Sequence, residues 1–246
     1  MLRLKIIACD ILNRELSYLA GLSKHYVDIT FLPQGLHDTP EVLRKSLQAE
    51  IDRANEGFPY NYLNTCPSYD FLVIAYGLCS NGITGIKSAK VPLVIPRAHD
   101  CITLLLGSKE KYKALFGQYP GTYWFSAGWI ERAWQPSELK YSSLLKDYTL
   151  RYGEDNARFL MEMEQSWLKE YKNAGFIAWD CFNNDYYKDF TKSSAQFLNW
   201  NFLEFEGNKG LLWNIINGEF NENEVLLVPP DRSVKASYDD MIIEAE

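Results

Sequence analysis

Phe71-Leu72-Val73-Ile74-Ala75-Tyr76-Gly77-Leu78-Cys79-Ser80-Asn81-Gly82, and after it Val91-Pro92-Leu93-Val94-Ile95-Pro96-Arg97-Ala98-His99-Asp100-Cys101, decide how this chain is read. Each opens on a short apolar run and stops at Gly or Pro, with chemically active residues directly behind. Runs of this length rich in β-branched residues are strands covered on both faces, as in parallel sheets. Ligands of such sheets bind in the crevice beyond the carboxyl ends of the strands. Two cysteines, a histidine, an aspartate and an arginine therefore stand where an α/β protein keeps its site.

Working outward, Leu4 to Ala8 forms a first strand ended by Cys9-Asp10, and a helix follows from Asn13 to Ser23. Val27 to Leu32 is a second strand. Thr39-Pro40-Glu41 opens the next helix, with Thr as N-cap and Pro at the first helical position. It carries Val42, Leu43, Leu47 and Ile51 at helical spacing and stops near Gly57-Phe58-Pro59, before an irregular loop to Ser68. Ile102 to Phe116 forms the helix behind the fourth strand. Alternation of this kind implies a parallel sheet with right-handed crossovers.

The second half reads as a looser copy. Strands are expected at Thr122–Ser126, Phe176–Trp179, Phe202–Phe205 and Val225–Val228, with helices at Glu154–Asn173, Lys188–Leu198 and Gly210–Asn217. Glu131 to Gly153 has no clear period and is expected to pack across the join. The acidic tail from Asp231 is expected to be partly loose. The fold class is thus α/β: two similar Rossmann-like halves, residues 1–118 and 119–246, whose parallel sheets face a central cleft that takes a small-molecule ligand.

The 246 residues are 47% hydrophobic and 23% charged, enough apolar matter to close a core. A net charge of -7 argues against a nucleic-acid partner, which needs a basic stripe. No apolar run approaches the roughly 20 residues of a membrane span, and the first residues do not read as a signal peptide, so a cytoplasmic protein is expected. Five cysteines in such a chain are reduced thiols, ligands or nucleophiles rather than a disulfide frame.

Cys9, Cys79 and Cys101 follow strands one, three and four, so three thiols distant in sequence emerge on one sheet edge. With His99 as a further ligand or base, they suit zinc, which takes thiolate and imidazole, or an iron–sulfur cluster, which takes thiolates. The competing reading makes Cys9 and Cys79 small core hydrophobes. Cys66 is read as structural, and Cys181 follows a strand of the second half. The turn around Cys79 also has the form of a nucleophile elbow, in which Cys79 is the nucleophile, His99 the base and Asp100 or Asp10 the orienter. A third chemistry is proton transfer between Cys79 and Cys181 facing each other across the cleft, as in cofactor-independent racemases. Arg97, with Asn81 and Gly82 in the glycine-containing turn, is a candidate for binding an anionic group; the alternative for Arg97 is an ion pair. His37 and His25 are read as structural.

His99-Asp100-Cys101 is similar to the start of the zinc motif in enzymes that move a methyl group from a corrinoid to a thiol, where the metal holds the acceptor as thiolate. More of the chain carries a second likeness. At Tyr76-Gly77-Leu78-Cys79, Pro96-Arg97-Ala98-His99-Asp100-Cys101-Ile102, Leu106-Gly107-Ser108, Gly121-Thr122-Tyr123, Gly128-Trp129, Tyr152-Gly153-Glu154-Asp155-Asn156-Ala157-Arg158 and Val228-Pro229-Pro230 it resembles the family catalogued as domain of unknown function 1638. That resemblance implies a role near corrinoid-dependent methyl transfer from methylated amines, with a corrinoid protein or methyltransferase as partner. Where that family has a small residue after the Asp of the sixth strand, this chain has Cys181, which weighs against a catalytic role for it.

Three functions are thus set against one another. The first is a metal- or cluster-binding protein acting in or assisting corrinoid-linked one-carbon transfer. The second is a metal-free Cys/His enzyme resembling an amidohydrolase, amidotransferase or racemase. The third is a non-catalytic partner of a corrinoid methyltransferase.

Overall fold

The computed structural model describes residues 1–57 and 68–246. Cys66 and most of the segment leading to Ser68 lie outside the described residues. The chain divides into two compact units, Met1–Tyr112 with Asn208–Glu246, and Lys113–Gly207.

In the first unit β1 (Arg3–Cys9), α1 (Asn13–Leu22), β2 (Tyr26–Leu32), α2 (Pro40–Asn55), β3 (Phe71–Ala75) and β4 (Leu93–Pro96) build an α/β layer. β3 and β4 are buried along almost their whole length, as the unbroken apolar runs require. β1 pairs in parallel with β2 on one side and β3 on the other, and β3 pairs in parallel with β4. The strand order β2-β1-β3-β4 means that the chain reverses its direction of travel across the sheet between β1 and β3. That reversal opens the crevice at their carboxyl ends.

Behind β4 come α3 (Cys101–Leu106) and α4 (Lys109–Gln118). One helix was expected here; the break is Gly107, at φ +80°, in the left-handed conformation that ends helices. A β-carbon on Gly107 would also lie 2.6 Å from the Asn208 carbonyl oxygen.

The second unit holds β5 (Thr122–Phe125), α5 (Ala127–Arg132), α6 (Glu138–Tyr152), α7 (Glu154–Glu164), β6 (Asn173–Ala178), α8 (Asp185–Leu198) and β7 (Asn201–Glu206). Its sheet is parallel, in the order β5-β6-β7. Phe125, Phe176, Tyr187 and Ala195 form its core. Helix α6 occupies the stretch that shows no period, because none of its residues is buried and no apolar stripe was required. Its start is fixed instead by the Ser137 hydroxyl, which accepts from the Lys140 amide at 3.3 Å. The long helix expected to reach Asn173 ends at Glu164 and gives way to a 3-10 turn over Ser166–Glu170.

α9 (Gly210–Ile216) and β8 (Val225–Val228) return to the first unit. β8 was expected in the second half, but it pairs antiparallel with β4 as the fifth strand of the first sheet. The tail is also ordered: β9 (Val234–Ala236) and β10 (Ile243–Ala245) form an antiparallel pair. Arg97 anchors it, donating to the carbonyls of Glu222 at 2.7 Å, Met241 at 2.9 Å and Ile243 at 2.5 Å. Among the described residues no helix is long and apolar enough to cross a membrane.

Candidate functional site

Three thiols meet at the crevice. Cys9, Cys79 and Cys101 are free and buried, and the Cys101 thiol interacts with both Cys79 and Cys9. Each arrives from a separate strand end. Cys9 is the last residue of β1, and the 3-10 turn Asp10–Leu12 that follows brings the Ile11 amide to the Cys9 sulfur.

Cys79 lies in the loop behind β3, where Cys79, Ser80 and Asn81 stand at φ +46°, +55° and +66°. Three successive left-handed residues are costly, and the surroundings hold them in place. The Leu78 amide donates to the Ala98 carbonyl at 2.8 Å and the Cys79 amide to the His99 carbonyl at 2.9 Å. These two bonds stitch the loop behind β3 to the loop behind β4. Arg44 and Thr84 both donate to the Asn81 carbonyl, at 3.1 and 2.8 Å.

Cys101 is the first residue of α3. The Asp100 carboxylate caps that helix, accepting from the amides of Ile102 at 3.0 Å and Thr103 at 3.3 Å, and takes a bond from the Tyr112 hydroxyl at 3.1 Å. Burial nonetheless pushes the Asp100 carboxyl above its usual range.

The sulfurs differ in their electrostatics. Hydrogen bonds to Cys79 and Cys9, together with complete burial, hold the Cys101 thiol well above the ordinary value. The bond from Cys101 pulls Cys9 down, helped by the Ile11 amide and opposed by burial. Between these two, Cys9 is the thiol nearer to thiolate.

Tyr76 completes the set and was not singled out from the sequence. Its ring is buried at the end of β3, and burial first, then Cys9, Cys101 and Cys79, push its hydroxyl far up. The hydroxyl lies against Cys9 yet closes no hydrogen bond of good geometry. The only signal was a hydroxyl-bearing residue placed between a buried strand and a glycine.

Other candidates lie elsewhere. The His99 side chain is exposed, and among the described residues its ring makes no hydrogen bond. Ser80 to Gly85 is a run of turns, so no helix start stands behind Cys79 to complete an elbow or an anion site at Asn81 and Gly82. Cys79, Ser80 and Asn81 stand in left-handed conformation, which is not helical backbone. Gly82 instead packs tightly on α2, where a β-carbon would meet Leu43 at 2.6 Å. Arg97 is committed to the tail carbonyls described above. His25 bonds the Leu2 amide and the Asn217 carbonyl, and His37 pairs with Asp38 at the surface. Cys181, in the second unit, is half-buried behind β6.

As the side chains stand, no group of three or more His, Cys, Asp or Glu among the described residues is set to hold a metal ion. The three strand-end cysteines stand instead as free, buried thiols.

Residues 31–216 match a protein-family model described as "Protein of unknown function (DUF1638)". The matched span includes Cys79 and Cys101 and begins after Cys9. No curated protein and no solved structure matches the chain.

Proposed function

This chain belongs to the DUF1638 family, and from that membership and the thiol cluster we propose a cytoplasmic zinc-binding protein that acts in, or assists, corrinoid-linked methyl transfer. Cys9, Cys79 and Cys101 hold the ion. The observation that carries this reading is that three free, buried thiols from three strand ends interact with one another through Cys101.

Thiols this close in the fold suit a single ion better than a cluster. Sulfurs bonded to one tetrahedral zinc at about 2.3 Å stand about 3.8 Å apart, close to thiol hydrogen-bond spacing. A cluster interposes its own iron and sulfide and spreads its cysteines further. The donor set is soft, as zinc and thiolate chemistry require. Bound zinc lowers the pKa of a coordinated thiol, which makes it a nucleophile near neutral pH.

The chain's own residues supply the rest. The Cys101 side chain and the Ile11 amide lower the pKa of the Cys9 thiol. Asp100 fixes the start of α3 and with it Cys101. The bonds from Leu78 and Cys79 to the loop behind β4 set the spacing of Cys79 and Cys101. The link to corrinoid chemistry and a corrinoid-protein partner rests on the family resemblance.

Metal analysis of protein purified without air tests the proposal. About one zinc per chain is expected, lost in Cys101→Ser. A wild-type protein without stoichiometric metal overturns it. For the partner, co-elution with a purified corrinoid protein is expected, and separate elution rejects that part.

A further inference from the structure

The second unit carries a groove of about 630 Å³, and we propose that it binds a small molecule made of a flat aromatic ring bearing one carboxylate. The ring lies on the aromatic wall, and Arg158 and Lys169 take the carboxylate. The groove shares no residue with the cysteine cluster, so this proposal is independent of the zinc reading above.

Three segments build it. α7 presents Arg158, Met161 and Glu162, which share one helix face by their three- and four-residue spacing. The 3-10 turn over Ser166–Glu170 adds Lys169, and Tyr171 follows directly. α8 adds Phe197 near its end; Asn199, at φ +56°, closes that helix just before Trp200, which also lines the groove. The Tyr171 and Trp200 rings lie 5.7 Å apart, tilted by 45°, and Phe197 is 40% exposed beside them. Aromatic walls with a few polar groups, at a volume of roughly 300–1,000 Å³, are the make-up of a small-molecule site. A flat ring extends the offset and tilted contacts these side chains already make.

Charge decides the class of ligand. The charged lining is Arg158, Lys169 and Glu162, two cations against one carboxylate, on a chain whose net charge is -7. Glu162 stands one turn beyond Arg158, the spacing of a helical ion pair. Among the described residues, however, none of the three forms a salt bridge, and all are exposed. Both cations are thus open to an outside anion, and a guanidinium matches a carboxylate in geometry as well as charge. An excess of one positive charge suits a monoanion.

Calorimetric titration of the full-length protein with 2-naphthoate, and with the uncharged 2-naphthamide, gives the test. Saturable binding of one naphthoate per chain is expected, with the amide at least about fivefold weaker. Arg158→Gln and Lys169→Gln change exposed side chains and should leave the thermal unfolding midpoint in place. Each is expected to weaken naphthoate about fivefold and to leave the amide unchanged. Phe197→Ala is expected to weaken both ligands about fivefold. Wild type that does not bind naphthoate, or binds acid and amide alike, overturns the proposal. Naphthoate binding that ignores all three substitutions overturns it too, by placing the site elsewhere. None of these results bears on zinc content, which is measured separately.

Discussion

Gly77 lies directly against the main chain of Asp100: a β-carbon built on Gly77 would stand 2.4 Å from the Asp100 amide nitrogen and 2.6 Å from its α-carbon. Backbone cannot yield as a flexible side chain does. Gly77→Ala is therefore expected to force the loops behind β3 and β4 apart and to cost about 2 kcal/mol or more. Because Cys79 and Cys101 ride on those loops, zinc content should fall with stability. Denaturant unfolding and metal analysis of the same preparation check both; an unchanged midpoint and full zinc would refute the expectation.

The cysteines should divide by position. Cys9→Ser and Cys79→Ser are each expected to weaken zinc binding by at least about tenfold, the loss that outer contacts alone bring. Cys181→Ser should leave zinc affinity unchanged. Competition with a chromophoric chelator measures all three, and equal losses at Cys181 and Cys79 would contradict the placement of the site.

How much of this was visible beforehand differs by element. The buried runs at Phe71–Ala75 and Leu93–Pro96 announced parallel strands because both faces are covered and nothing polar interrupts them. The gathering of Cys9, Cys79 and Cys101 followed from strand order alone. β8 was misplaced because pairing partner and direction leave no trace in Val225-Leu226-Leu227-Val228 itself. Helix α6 carried no stripe because it buries nothing. The left-handed backbone at Cys79, Ser80 and Asn81 was hidden because only Asn81 is a residue type that favours it. Tyr76 looked like strand filler, since an unsatisfied hydroxyl is a property of packing and not of composition.

Arg97 is expected to matter for stability rather than for ligand binding. Arg97→Met keeps the bulk of the side chain but strips partners from the carbonyls of Glu222, Met241 and Ile243. A cost of about 2–4 kcal/mol follows from leaving such groups unsatisfied. Limited proteolysis should then cut within residues 231–246 sooner than in wild type, and identical cleavage rates would count against the anchor.

Alkaline pH should expose a weakness in the second unit. Burial, with the nearby Tyr171, pushes the Tyr123 hydroxyl up to about 12, above the ordinary value of 10.0. A folded-state pKa raised in this way gives stability that is complete below the unfolded value and lost as pH rises through the folded one. Wild type should therefore lose stability between about pH 10 and 12 by more than Tyr123→Phe, which has no proton to lose there. Unfolding midpoints of the two proteins across that range provide the comparison, and parallel curves would rule the effect out.

The antiparallel partner of β4 reaches it only after the whole of Lys113–Gly207 has been made. At translation rates of roughly 5–20 residues per second, the emerging chain carries a bare, apolar strand edge for roughly ten seconds. All three cysteines have left the ribosome by then, so the newborn protein is at its stickiest just when its thiols are least shielded. Expression at lowered temperature, with chaperones in excess, is the condition under which this chain should be recovered intact.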